Sequence, residues 1–152
     1  MGGSWLAAPI AAAGLALAAT NADSVTLRTL GLSGNWAVEC TKAPTSDNPH
    51  VMFATPADQY PEYLERGAAG GQIVAALSNV RALSGGQIGM TMTITNTFGG
   101  KTSRVTVDLV VQKAGTKFRF MEMKPDSGDA PVSGGIAKAT GQPTQWIQKC
   151  GG

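Results

Sequence analysis

Apolar and polar residues alternate with a period of two along most of the chain, the spacing that sends successive side chains to opposite faces of a β-strand. The clearest run is residues 87–95, where Ile88, Met90, Met92 and Ile94 point one way and Gly89, Thr91, Thr93 and Thr95 the other. Its partner follows at once, with Val105, Val107, Leu109 and Val111 opposed by Arg104, Thr106, Asp108 and Gln112. Between them lies Asn96-Thr97-Phe98-Gly99-Gly100-Lys101. Its paired glycines supply the positive φ of a tight reversal, so the two runs are predicted to form a hairpin.

The same period appears earlier, where Trp36, Val38 and Cys40 alternate with Asn35, Ala37 and Glu39. After a turn at Ala114-Gly115-Thr116, a further strand is predicted over residues 117–124, carrying Phe118 and Phe120. Met121 and Met123 fall on its other parity, which predicts a bulge or a strand covered on both faces. Pro125-Asp126-Ser127-Gly128-Asp129 ends it as a loop. Shorter strands are predicted over residues 50–55, 59–64, 72–83, 132–139 and 144–150, although residues 60–66 fit one helical turn equally well. Gly70-Gly71-Gln72-Ile73 recurs as Gly85-Gly86-Gln87-Ile88, which reads as one turn-to-strand solution used twice.

No segment has the length and caps of a core helix. About eight short strands joined mainly by tight turns predict an all-β fold, an antiparallel meander closing into a small barrel, because closure removes exposed edges. Residues 34–152 make up this barrel, and the thinly charged residues 23–33 are expected as an extended N-terminal arm.

Residues 5–19 are an uncharged apolar run of 15, short for ~30 Å of hydrocarbon and suited to the core of a secretory signal peptide. Ala16-Leu17-Ala18 and Thr20-Asn21-Ala22 are both small-residue cleavage sites, although Met1-Gly2-Gly3-Ser4 carries no Lys or Arg. Residues 1–22 are therefore assigned to a signal peptide. The mature chain is expected to be periplasmic or secreted from a bacterium, with no stable membrane span. An even cysteine count in a small exported chain predicts a bridge between Cys40 and Cys150, the alternative being two buried free thiols. If the first and last strands meet where the barrel closes, the two come into bonding range.

Gly34-Asn35-Trp36 resembles the G-x-W opening of lipocalin-like barrels. That resemblance implies that Trp36 plugs one barrel end beneath a late-strand arginine, Arg104 or Arg119. The chain is also similar to small exported barrels that inhibit secreted bacterial metalloproteases, which share a G-x-W strand, one disulfide and a mobile N-terminal arm. This second likeness implies a protein-binding role for residues 23–33 or 60–66. The segment from Gly141 to Cys150, taken with the early G-x-W-x-V-x-C, also resembles a group of small exported alphaproteobacterial proteins without an assigned activity.

Composition narrows the chemistry. Hydrophobic residues form 43 % of the chain and charged ones 14 %, which suits a packed core and excludes a coiled coil or a charged disordered tail. A net charge of +2 gives no basic excess for nucleic acid. His50 is the one histidine, read as a surface or rim residue, and no G-x-S-x-G, H-E-x-x-H or C-x-x-C motif occurs. Zinc would lack ligands, no cofactor is implied, and the chain is expected not to be an enzyme. Glu62 and Glu65 are read as a solvated face, and Asp126 and Asp129 as an acidic turn. The remaining candidates are Met90, Met92, Phe118, Phe120, Met121 and Met123, which can line one adaptable interior for a small apolar ligand, thioethers moulding to irregular guests. Core filling accounts for the same residues. The expectation is a non-catalytic barrel binding a small apolar ligand or, alternatively, an envelope or secreted protein such as a protease.

Overall fold

A computed structural model of the chain describes residues 21–68 and 71–151, so all but the end of the predicted signal peptide lies outside the described residues. Among the described residues one α-helix, α1 (Ala22–Thr29), precedes eleven strands: β1 (Gly34–Ala37), β2 (His50–Ala54), β3 (Glu62–Ala68), β4 (Gly71–Ala82), β5 (Gln87–Phe98), β6 (Lys101–Ala114), β7 (Lys117–Pro125), β8 (Val132–Ser133), β9 (Ile136–Ala137), β10 (Gln142–Pro143) and β11 (Ile147–Cys150). The strands β1 to β7 pair in sequence order, and β11 closes the ring between β7 and β1. The result is the predicted closed, eight-stranded antiparallel barrel, with β8, β9 and β10 branching from the edge of β7.

The strongest sequence signal gives the longest pairing. Strands β5 and β6 match Ile88 with Val111, Met90 with Leu109, Met92 with Val107 and Ile94 with Val105, putting both apolar sets on the inner face. Gly99 and Gly100 make the reversal with φ of 58° and 75°, the left-handed pair that matches the twist of a two-residue hairpin. The slip of parity in β7 is a bulge. Val111 pairs with Phe120 and Val110 with Glu122, leaving Met121 as the extra residue. Phe118 and Phe120 therefore face inward before it, and Met123, opposite Leu109, faces inward after it.

The core is built round four fully buried rings in edge-to-face contact. Trp36 meets Phe118 at 5.0 Å, Phe118 meets Phe53 at 5.7 Å, and Phe53 meets Tyr63 at 5.5 Å. Such contacts favour the positive ring edge over the negative ring face.

Two expectations change here, and one open alternative is decided. Residues 23–33 are not an extended arm, because α1 occupies most of them. The Asn21 side chain caps the helix by accepting from the Asp23 and Ser24 amides, and Gly31, at φ 70°, follows its last turn. Leu27 and the following Leu32 are fully buried against the barrel, and the Asp23 carboxylate accepts from the Val80 amide at 2.7 Å. Eight residues with so few apolar positions leave no helical period to read, so tertiary contact and a cap decide the conformation. Of the two readings open for residues 60–66, strand and helical turn, the strand is the one that forms, as residues 62–68 of β3. Finally, Cys40 is not in the first strand, since β1 ends at Ala37 and Cys40 sits in the turn beyond it. It is bonded to Cys150, as expected, across a Cα separation of 5.5 Å.

Candidate ligand-binding site

The two barrel ends differ. At one, α1 and Trp36 close the interior. The Trp36 indole donates from Nε1 to the Leu32 carbonyl at 2.9 Å, tying the helix-to-strand link to the plug. The cation over the Trp36 ring is Lys149, with Nζ 5.5 Å from the ring centroid, and not Arg104 or Arg119. Lys149 is the cross-strand partner of Trp36 between β1 and β11. Arg119 lies on the opposite parity of β7 from Phe118 and Phe120, so it faces out and stacks 5.2 Å from the Trp146 ring instead. Arg104 is exposed, on the outward parity near the tip of the β5–β6 hairpin.

At the other end the barrel seam splays open. Strand β11 is four residues long and pairs with β7 only through Ile147–Phe118 and Gln148–Lys117. Beyond Phe118, that edge of β7 is taken by the chain from β8 to β11. The Gly135 amide donates to the Met121 carbonyl, and the Thr144 hydroxyl to the Phe120 carbonyl at 2.6 Å. Loops stand in for a full-length strand, and a cavity of about 450 Å³ remains between them and the barrel interior. Its apolar floor is Phe120, Met123 and Ile147, and its rim includes Asp47, Thr144 and Gln145.

The loop from β1 to β2 forms one wall and is held in two ways. The Asn48 side chain accepts from the Glu39 amide at 2.8 Å and donates to the Ala43 carbonyl at 3.2 Å, so a buried amide organises the turn. Gly67, at φ 94°, lets the loop backbone rest directly on β3, where a Cβ would lie 2.5 Å from the Thr45 carbonyl oxygen. His50 starts β2 beneath this loop, its Nε2 2.8 Å from the Lys42 carbonyl oxygen. Smaller hollows lie on the outer wall beside His50 and Arg66, about 110 Å³, and at the closed end beside Leu30 and Lys113, about 250 Å³. Neither joins an apolar floor in the barrel to a polar rim, which is what ligand sites combine.

The six predicted lining residues fall into three groups. Met90, Met92 and Phe118 are fully buried and fill the core. Phe120 and Met123 reach the cavity. Met121 does not share the interior with the others, because the bulge turns it to the outer side of β7, against Gly135.

Glu65, read from the sequence as part of a solvated face, lines the cavity instead. In β3 it pairs with Val51, which is buried, and shares its inward parity with Tyr63. Glu62 lies on the opposite parity and is exposed, so the two carboxylates do not form the common solvated face expected of them. The Tyr63 hydroxyl donates to Glu65 Oε2 at 2.6 Å. Burial first, then the charge of Glu65 and this hydrogen bond, push the Tyr63 phenol well above its ordinary range. A raised folded-state pKa means that its stabilising contribution is complete below about pH 10, where both states hold the proton, and declines above it as only the unfolded chain ionises. Between pH 9 and 11, urea midpoints of the wild type are expected to fall more steeply than those of Tyr63→Phe; parallel slopes would remove Tyr63 from the alkaline transition. At neutral pH the same variant loses about 1.5 kcal/mol with the hydrogen bond.

Among the described residues no three His, Cys, Asp or Glu side chains gather as metal ligands, and no helix is long and apolar enough to cross a membrane. Compared with models of protein families, with curated proteins and with solved structures, the chain matches none.

Proposed function

We propose that this protein is an exported, non-catalytic barrel that binds a small, largely apolar molecule in the cavity at its open end. The observation that carries this reading is the cavity itself. A hollow of about 450 Å³ with Phe120, Met123 and Ile147 as its floor has the size and chemistry of a small-molecule site. The resemblance of Gly34-Asn35-Trp36 to lipocalin-like barrels is in keeping with it, since the plugged end and the open end sit at opposite ends of the strands. The Cys40–Cys150 bond suits a periplasmic or secreted location, because disulfides persist in oxidising compartments. A protein partner engaged by residues 23–33 has less support, since their apolar side chains Leu27 and Leu32 are already buried on the barrel and Arg28 donates to the Thr55 carbonyl at 2.9 Å.

Binding is tested with the neutral fluorophore N-phenyl-1-naphthylamine. Saturable one-to-one enhancement is expected, weakened at least tenfold in Met123→Trp, whose larger ring occupies the floor, while far-ultraviolet circular dichroism stays unchanged. No saturable signal, or a folded Met123→Trp that binds as the wild type does, contradicts the reading.

A further inference from the structure

We infer that the guest of the open-end cavity carries a positive charge, the best fit being a small aliphatic or aryl amine whose ammonium pairs with Glu65. This deepens the binding reading above and rests on it.

Of the eight barrel strands, those that line the cavity beside Glu65 do so with the apolar side chains Phe120, Met123 and Ile147, the polar lining residues lying in the loops and in β10. Glu65 is the charged side chain that a barrel strand turns inward beside them. A carboxylate placed beside apolar surface is unfavourable unless something compensates it. The protein supplies one hydrogen bond, from Tyr63 to Oε2. Among the described residues no other hydrogen bond reaches the Glu65 carboxylate, and the ion pairs are Lys42–Glu39 and Lys138–Asp129, neither involving it. Its strand neighbour Arg66 is exposed on the opposite parity and is paired in register with His50. Asp47 adds a second carboxylate to the rim, and among the described residues no Lys, Arg or His lines the cavity.

The Tyr63 bond also fixes the carboxylate in place. Tyr63 is fully buried and wedged against Phe53, so its hydroxyl is a stationary donor that points Glu65 in one direction. A preoriented anion above an apolar floor selects a molecule with a cationic head and an apolar body, and it repels an anionic one. Preorganisation of this kind gives discrimination because the complementary charge meets no reorganisation of the site.

The test displaces N-phenyl-1-naphthylamine at pH 7 with three eight-carbon competitors of equal length: octylamine, 1-octanol and octanoate. Octylamine, protonated at this pH, is expected to compete at least tenfold better than octanol, and octanoate worse than both. Glu65→Gln keeps an oxygen for Tyr63 and removes the charge; it should bring octylamine to within about twofold of octanol. Octanol or octanoate matching octylamine on the wild type overturns the inference while the binding reading stands. So does a folded Glu65→Gln that retains the full preference. Failure of the fluorophore and all three competitors to bind overturns the binding reading itself, and this inference with it.

Discussion

Replacing Cys40 and Cys150 by serine is expected to lower the unfolding free energy by about 4–5 kcal/mol, the loop-closure value for a bond spanning a separation of 110 residues. The size of the loop is one reason. The other is where the bond lies. The β1–β11 seam that completes the ring is three residue pairs long, Asn35–Cys150, Trp36–Lys149 and Ala37–Gln148, against twelve pairs between β5 and β6. A seam so short has little hydrogen-bonding of its own to hold the last strand. Its partner β7 adds two further pairs. Without the bond, the terminal strand frays first, and the cavity, whose floor includes Ile147 at the start of that strand, opens with it. Urea denaturation of the oxidised wild type and the double serine variant measures the effect. The variant should also show a larger m-value, as an unfolded chain freed of a long loop exposes more surface. A loss below about 1 kcal/mol contradicts this account of the seam.

Trp36→Ala is expected to cost about 3–5 kcal/mol, the range for deleting a large buried ring when the site cannot collapse. Trp36 is 1 % exposed and touches three kinds of partner at once. Its ring meets the edge of Phe118, its indole N–H satisfies the Leu32 carbonyl, and Lys149 lies over its face. Alanine leaves a void at the closed end and a carbonyl without its donor. Trp36→Phe separates these contributions, since it retains most of the apolar ring and loses the hydrogen bond, and it should cost about 1–3 kcal/mol, one ring's difference in size included. Both variants are read by urea denaturation with the disulfide intact. The Trp36 and cysteine effects are not expected to add, because Trp36 and Cys150 are neighbours across the same seam. If alanine were tolerated within about 1 kcal/mol, Trp36 would not be what closes that end.

The parts of the fold that the sequence made legible are those where one face is clearly apolar. The β5–β6 register, the glycine turn at Gly99 and Gly100, and the slip at Met121 all follow from parity, and closure put Cys40 beside Cys150 as the topology required. Parity fails in β3. There Leu64 faces outward and pairs with Met52 and Val74, while Tyr63 and Glu65 face inward, so the outer face is as apolar as the inner one. A carboxylate inside the barrel cannot be read from such a strand, and neither can the exposure of Val74. Helix α1 was hidden for a different reason, its few buried side chains being recruited by the barrel end and not by a helical stripe of its own. The cavity depends on the short length of β11 and on the course of residues 134–145, neither of which leaves a periodic trace.

The methionine methyl groups report most directly on whether the open end holds a guest. Labelled with carbon-13, Met52, Met90, Met92, Met121 and Met123 sample the outer wall, the filled core, the outer side of β7 and the cavity floor. Titration with N-phenyl-1-naphthylamine, whose rings displace nearby resonances, should move Met123 furthest and leave Met52 and Met121 in place. Movement greatest at Met121 or Met52, or none at any methionine, would mean that the open-end cavity is not where this protein binds.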